Sequence, residues 1–308
     1  MEISIVIVNW NTRQLLLNCL ASIYEHMPQM VYEIWVVDNG STDDSVEKVK
    51  NTYPEVHVIE NKQNLGFAAA NNMAFRQMNG RYALLLNSDT ILTHGAIQQL
   101  YRFLEENPKV GMACGQLLNE DGTRQNSFAN FPSVRAMLTN ETLLRLFFPK
   151  RFPSKRRDYL KPIPVDSCIG ACMLVSKKAM DDVGLFDEDY FFYFEETDWA
   201  YRMHRNGWGV YFIPSAKIYH LQGQTAKYSA KTRIMFYRSR YTFYKKWNPH
   251  RHKLMVATLF IRLLVDLLLN SLQLLLSLGM NGDCRQKITV YCQLIGWHLR
   301  GCPNGGKA

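Results

Sequence analysis

Four clusters in the chain carry the side chains best suited to chemistry. Asn87-Ser88-Asp89 follows the apolar run Tyr82-Ala83-Leu84-Leu85-Leu86. A carboxylate just past a buried strand stands where open α/β sheets bind ligands. It can hold a hard divalent cation that bridges to phosphate oxygens. The same aspartate also suits the N-cap of a following helix. A second cluster, Asp38-Asn39-Gly40-Ser41-Thr42-Asp43-Asp44-Ser45, follows Glu33-Ile34-Trp35-Val36-Val37. It reads as a turn, an N-cap and an acidic first helical turn. A third, Phe194-Glu195-Glu196-Thr197-Asp198-Trp199, closes a stretch of aromatics and carboxylates that starts at Phe186. Acidic residues there complement a helix N-terminus. Three carboxylates beside an aromatic wall also suit a raised pKa and general-base work. The fourth is His220, an imidazole at a strand end, which is either structural or a metal ligand.

The elements that must position these groups alternate. Ile3–Val8, Glu33–Val37, Val56–Ile59 and Tyr82–Leu86 read as strands, and β-branched or leucine runs with no polar interruption suit a sheet buried on both faces. Between them, Leu15, Leu16, Cys19, Leu20 and Ile23 mark one helical face, and Ala68–Met78 reads as a helix closed by Asn79-Gly80. This alternation predicts an α/β fold with a mostly parallel central sheet. Further on, a helix is expected near His94–Glu106, a strand at Val110–Leu118, a return of order at Val165–Val175, and a short helix at Lys177–Val183. Another helix should end near His204, followed by two short strands at Val210–Pro214 and Lys217–His220. Asn119–Pro164 has little periodicity and carries the basic run Lys150–Arg157, which reads as a solvated loop or as a contact for lipid headgroups or an anionic acceptor. No G-x-G-x-x-G follows the first strand and no Walker A sequence is present, which excludes a dinucleotide-binding Rossmann site and a P-loop.

Seven scattered cysteines, an odd number without zinc-finger spacing, predict free thiols and a reducing compartment. The start, Met1-Glu2-Ile3-Ser4-Ile5, enters a strand without a basic n-region, so a cytoplasmic location is expected. The net charge of +9 is unevenly placed. Beyond residue 198 lie 17 of the 36 Lys and Arg residues but only 2 of the 27 acidic ones. Such asymmetry points the C-terminal part toward an anionic surface.

Taken in order, the motifs resemble a known family. They are Val-Asn9-Trp10-Asn11, Val-Val-Asp38-Asn39-Gly40-Ser41-Thr42-Asp43, Asn64-Leu65-Gly66-Phe67-Ala68 and Leu-Leu-Asn87-Ser88-Asp89. Gly170-Ala171-Cys172-Met173-Leu174, Phe194-Glu195-Glu196-Thr197-Asp198-Trp199 and His220 follow. This set resembles family 2 glycosyltransferases of the GT-A fold, and among them the rhamnosyltransferase-like enzymes of bacterial cell-surface polysaccharide synthesis. The resemblance spans about residues 1–245. It implies that Asp38 accepts the N3–H of a uracil or thymine ring framed by Asn9, Trp10 and Asn11, with Asn64 and Gly66 closing over ribose and base. It implies that Asn87 and Ser88 line the sugar-nucleotide, that Asp89 and His220 hold Mg²⁺ or Mn²⁺, that Glu196 is the catalytic base and that Asp198 helps seat the acceptor. Two departures stand out. Asn87 occupies the first acidic position of the D-x-D motif, and Glu196 stands where Asp is usual. Implied is an inverting, metal-dependent transfer from a dTDP- or UDP-sugar, with L-rhamnose expected, to a polyprenyl-linked saccharide. The rival is a non-catalytic nucleotide-sugar-binding or membrane-surface scaffold, which the Asn87 departure keeps open.

The remaining residues, 246–308, read as a C-terminal amphipathic segment after a catalytic domain of residues 1–245. Tyr237–Trp247 interleaves basic and aromatic residues, a pattern of nucleic-acid or membrane-interface surfaces. The long apolar stretch Leu254–Leu278 favours the membrane over nucleic acid. Arg262, Asp266, Asn270 and Gln273 interrupt it at helical spacing, which predicts a helix lying in an anionic membrane surface, on the cytoplasmic face, in place of a span. Docking on the catalytic domain is the other expectation. Lys287–Leu299 reads as a second helix and Gly301–Ala308 as a frayed end.

Overall fold

The computed structural model describes residues 1–134, 136, 144, 146–149, 151–155, 157–221, 229–278 and 280–303. Lys150 and Arg156 of the basic run, and residues 304–308 of the expected frayed end, lie outside these. The chain forms two compact units. One comprises Met1–Phe131, Lys150–Phe191 and Glu195–Thr225; the other comprises Pro132–Pro149, Phe192–Phe194 and Ala226–Ala308.

In the first unit the apolar runs become strands: β1 (Ile3–Asn9), β2 (Tyr32–Asp38), β3 (His57–Glu60), β4 (Tyr82–Asn87), β5 (Thr90–Leu92), β6 (Val110–Leu118), β7 (Phe128–Ala129), β8 (Ile163–Pro164), β9 (Ser167–Cys168), β10 (Cys172–Ser176) and β11 (Gly209–His220). The helices are α1 (Arg13–His26), α2 (Ser45–Thr52), α3 (Phe67–Phe75), α4 (Ala96–Glu106), α5 (Lys177–Val183) and α6 (Glu195–Arg205). The main sheet runs β3-β2-β1-β4-β10-β6-β11-β5, with β8 on β11. β1, β2, β3 and β4 are mutually parallel, and β6 and β11 share their direction because β10 opposes both β4 and β6. The expected α/β class with a mostly parallel sheet is therefore what forms.

Alternate residues of each central strand feed two cores. Ile3, Ile5 and Ile7 pack with Leu16, Leu20 and Ile23 of α1 on one face. Val6 and Leu85 pack with Ala70, Ala74, Phe75 and Trp199 on the other. Each such fully buried aliphatic side chain contributes about 1.5–3 kcal/mol. The seven cysteines are free thiols.

Within the ordered stretch Val165–Val175, β9 and β10 are separate strands, and the intervening Ala171 carbonyl accepts the Asn87 N–H at 2.9 Å. Two local expectations are corrected. The two strands expected at Val210–Pro214 and Lys217–His220 are one, β11, whose register on β6 shifts between Ile213 and Lys217. Gly115 permits that bulge, since a Cβ there would lie 2.3 Å from the Ala216 carbonyl oxygen. Asp89 caps no helix: β5 follows it, and α4 starts only at Ala96.

The second unit contains α7 (Ala230–Trp247), α8 (Pro249–Leu276) and α9 (Gly282–Leu299). Ser229 and Asn281 cap α7 and α9 by accepting from the N–H groups of Thr232 and Cys284. The interleaved basic–aromatic run turns out to be half core. Tyr237, Tyr241, Phe243 and Tyr244 are buried, and Tyr241 stacks on Trp297 with its hydroxyl 2.7 Å from His298 Nε2. This packing puts α7 with the tail helices, ahead of the boundary expected at 245/246. Along α8, Asp266 and Asn270 are half-buried while Arg262 and Gln273 are exposed, so the interrupting polar residues do not form one solvent face. Ile261, Leu264, Val265, Leu268, Leu269, Leu272, Leu275 and Leu276 are exposed instead. Among the described residues α8 alone is long and apolar enough to cross a membrane.

Gly66 ties the α3 entry to the aromatic segment. It adopts φ +90°, and a Cβ would meet the Phe191 carbonyl oxygen at 2.5 Å, beside the Phe67 N–H that this oxygen accepts at 2.8 Å. Gly66→Ala should lower stability by on the order of 2–4 kcal/mol, from left-handed strain plus overpacking, read as a fall in the urea unfolding midpoint.

Candidate active site

The strands that share one direction bring their C-terminal ends to one edge, and β1, β2, β4 and β11 end there in Asn9, Asp38, Asn87 and His220. Asp38 and Asn87 are two strands apart across β1, roughly 10 Å by ordinary strand spacing.

Asp38 is buried and uses both carboxylate oxygens. Oδ1 accepts from Asn9 Nδ2 at 2.8 Å and Oδ2 from the Ser41 N–H at 2.8 Å. Each oxygen keeps a second lone pair for a ligand donor. Asn9 Nδ2 also reaches Ser41 Oγ, and Asn9 Oδ1 accepts from Thr12 Oγ1 at 2.7 Å. Thr12 Oγ1 lies 2.8 Å from Ser88 Oγ. A continuous line of hydrogen bonds thus runs from Asp38 through Asn9 and Thr12 to Ser88. Asn11, at φ +54°, accepts the Thr42 N–H through its side chain, and its own N–H donates to Ser41 Oγ. Trp10 is exposed at 52% beside this junction, an aromatic face presented to solvent.

Asn64 Oδ1 accepts the Gly66 N–H at 2.9 Å. Asn39, buried at the end of β2, donates to the Gly66 carbonyl at 3.1 Å and to Asn64 Oδ1 at 3.4 Å. It is the pin that holds the Asn64–Gly66 turn against the strand end.

Asp89 and His220 come together by sheet pairing. β5 and β11 are antiparallel with Thr90 opposite His220, and the Leu221 N–H donates to the Asp89 carbonyl at 2.9 Å. His220 Nε2 then lies 3.3 Å from Asp89 Oδ1, with both side chains buried. His220 Nδ1 is 2.9 Å from Gln125 Oε1.

Glu196 lies at the same edge. A Cβ on Gly170 would sit 4.0 Å from its Cγ and 3.9 Å from Phe67 Cε1. Glu195 is buried, and burial first, then the neighbouring Glu196 charge, hold its carboxyl well above the usual range. Asp198 is wholly buried; its Oδ2 accepts from Arg202 Nε at 2.9 Å and its Oδ1 from the Tyr190 hydroxyl at 3.4 Å. Arg202 continues to the Val183 and Leu185 carbonyls. Asp198 is thereby engaged in holding α6 to the segment after α5. This burial does not accord with the expectation that it contacts an acceptor.

The edge therefore unites Asn9, Asp38, Asn64, Gly66, Asn87, Ser88, Asp89, Glu196 and His220, while Asp198 faces inward. Thr12, Asn39, Ser41 and Gln125 were not singled out from sequence. The first three sit inside the polar clusters at strand ends, which was the available signal; Gln125 lies in the aperiodic stretch and gave none.

A sheet of this order, with side-chain amides, hydroxyls and carboxylates at its C-terminal edge and no glycine-rich phosphate loop, belongs to the GT-A class. The family model described as Glycosyl transferase family 2 matches residues 4–184, and the chain belongs to that family. It is 30% identical over 204 residues to the N-acetylglucosaminyl-diphospho-decaprenol L-rhamnosyltransferase of Mycobacterium tuberculosis, a match covering 61% of this chain and 66% of that one, just under two thirds of the relative's length. It is 27% identical over 209 residues to a low-salt glycan biosynthesis hexosyltransferase of Haloferax volcanii, covering 66% and 62%. Among solved structures it resembles a mannosyltransferase from Pyrobaculum calidifontis in complex with GDP-Man and Mn²⁺. That match has a TM-score of 0.59 and 15% identity, and it covers 97% of this chain and 86% of the other. GalNAc-T7 with UDP, GalNAc and Mn²⁺ matches with a TM-score of 0.55 and 16% identity, covering 76% and 47%.

The raised Glu195 carboxyl makes the folded state bind a proton that the unfolded chain releases near 4.5. Stability is then lost as pH rises above that value. The thermal midpoint of Glu195→Gln should gain on that of the unaltered protein as pH is raised from 5 to 8; a pH-independent difference would contradict this.

Proposed function

We propose that the chain is an inverting glycosyltransferase that moves a sugar from a nucleoside diphosphate to a hydroxyl of a lipid-linked saccharide. The observation that carries this reading is the Asp89–His220 pair, set 3.3 Å apart at the edge where β1, β2 and β4 end. L-Rhamnose from dTDP- or UDP-rhamnose to a polyprenyl-linked acceptor is the specific reaction favoured. Its support is the likeness to the mycobacterial L-rhamnosyltransferase.

The donor set fits a divalent cation. One carboxylate oxygen and one imidazole nitrogen converge, both buried, which suits Mn²⁺ or Mg²⁺ completed by diphosphate and water oxygens. Among the described residues no third His, Cys, Asp or Glu joins them. Bound there, the cation would offset the negative charge that develops on the departing diphosphate. Asp38 would accept a pyrimidine N–H while Asn9 and Ser41 hold its carboxylate in place. Asn64 and Gly66 would border the ribose, and Trp10 offers a stacking face. Glu196 would take the acceptor hydroxyl's proton as that oxygen attacks the anomeric carbon opposite the leaving group. One base and one displacement give inversion. Asp198 acts in this scheme as a positioning residue that anchors the first turns of α6, and so Glu196.

The exposed leucine and isoleucine face of α8, preceded in the chain by Lys245, Lys246, Arg251 and Lys253, fits an anionic membrane surface. In this reading the enzyme is peripheral, on the cytoplasmic face of the inner membrane.

Three measurements test this. Asp89→Ala should abolish Mn²⁺-dependent transfer from the donor. Glu196→Gln should keep donor binding by calorimetry and lower kcat at least about 100-fold, in the range of general-base catalysis. If it turned over at the normal rate, another group would be the base. Leu268→Asp with Leu272→Asp should weaken sedimentation with phosphatidylglycerol-containing vesicles at least about tenfold, leaving donor binding unchanged.

A further inference from the structure

The geometry points to Gln125 as the residue that presets His220 for a cation, an inference that rests on the metal role proposed above for Asp89 and His220. Gln125 is buried between β6 and β7. Its carboxamide is oriented by its surroundings. One end meets two acceptors, the His220 backbone carbonyl at 2.5 Å and Asn119 Oδ1 at 2.7 Å, and so must be the NH₂ group. The other end is then Oε1, an acceptor, 2.9 Å from His220 Nδ1. An acceptor in that position requires the proton on Nδ1.

The consequence lies on the far side of the ring. In the neutral imidazole a proton on Nδ1 leaves a lone pair on Nε2, and Nε2 faces Asp89 Oδ1 at 3.3 Å. A cation placed near both would take that lone pair and the carboxylate oxygen together as ligands. Gln125 cannot rotate out of this arrangement, because its NH₂ group would lose both the Asn119 and the His220 carbonyl partners. Nor does the backbone offer slack: the Gln125 N–H is bound to the Leu117 carbonyl at 2.9 Å, and its carbonyl accepts from Gln116 Nε2 at 2.9 Å. Side chains that orient a metal-bound imidazole through its second nitrogen typically matter about 10–100-fold in metal affinity. Gln125 is in these terms a positioning residue that acts through His220.

The test uses Mn²⁺ with UDP as probe, free Mn²⁺ being read by electron paramagnetic resonance. Gln125→Leu should bind Mn²⁺ about 10–100-fold more weakly than the unaltered protein, and Asp89→Ala should lose the site. If Gln125→Leu binds normally while Asp89→Ala does not, the role given to Gln125 is wrong and the metal reading stands. If Asp89→Ala also binds normally, the metal reading falls and this inference with it. A second measurement needs no substitution at Gln125. In protein with ¹⁵N-labelled histidine, Mg²⁺ and UDP, the long-range ¹H–¹⁵N spectrum of His220, assigned by its loss in His220→Gln, should show Nδ1 protonated and Nε2 bare. A proton on Nε2 overturns the proposal.

Discussion

The site depends on a ladder of three residue pairs. β5 is a short strand, yet its antiparallel pairing with β11 sets Asp89 against His220. Side chains alternate along a strand, so a slip of one residue would send His220 to the opposite face and separate the two groups. The pairing is held from several sides. The Leu221 N–H closes on the Asp89 carbonyl, Thr90 Oγ1 donates to the Asn87 carbonyl, and the Leu92 N–H donates to Ser22 of α1. Leu92 and Ile218 are themselves buried in the core. The packed ladder supplies the stability that lets the Asp89–His220 pair persist in one geometry.

The part of the edge around Asp38 is organised differently, by a network of side-chain hydrogen bonds. Asp38, Asn9, Thr12 and Ser88 form one line, and Asn11, Ser41 and Thr42 cross-link the loops after β1 and β2. Every member donates or accepts within the set, so the loop conformations are established before any ligand arrives. Such preorganisation matters because ordering the loops on binding would draw on the binding energy. In the proposed reaction a side-chain cradle of this kind would take the place of the glycine-rich backbone cradle of phosphate-binding loops.

Much of this was legible because it is written locally. An apolar run that stops abruptly at Asn, Ser and Asp marks a strand end, and Asn9, Asp38 and Asn87 were found that way. Gly66 lay within a motif, but its steric reason, the Phe191 carbonyl, comes from a distant part of the chain. β5 has too few residues for any periodicity, so the Asp89–His220 contact was carried by the family resemblance alone. Gln125 lies in a stretch without pattern and gains its meaning only through His220. In α8 the polar residues recur every three or four positions, but each step of four rotates about 40° around the helix. The stripe therefore winds, and Arg262 and Gln273 stay outside while Asp266 and Asn270 turn half inward. Spacing shows that polar residues are neighbours on a helix; packing decides which way that side faces.

The departure at Asn87 has a physical reading within the proposed reaction. A nucleoside diphosphate brings its own negative charges to the edge, where Asp89 already supplies one. A second carboxylate at position 87 would stand close to that charge, and two like charges about 4 Å apart cost about 4 kcal/mol at an effective dielectric of 20. Asparagine removes the repulsion and keeps a hydrogen-bonding side chain, half-buried, with its backbone N–H secured by Ala171. The protein then attracts a bare cation less and a cation carried with diphosphate relatively more. Metal and donor would arrive as a coupled pair, and an amide at this position is compatible with catalysis so long as Asp89 and His220 keep their register.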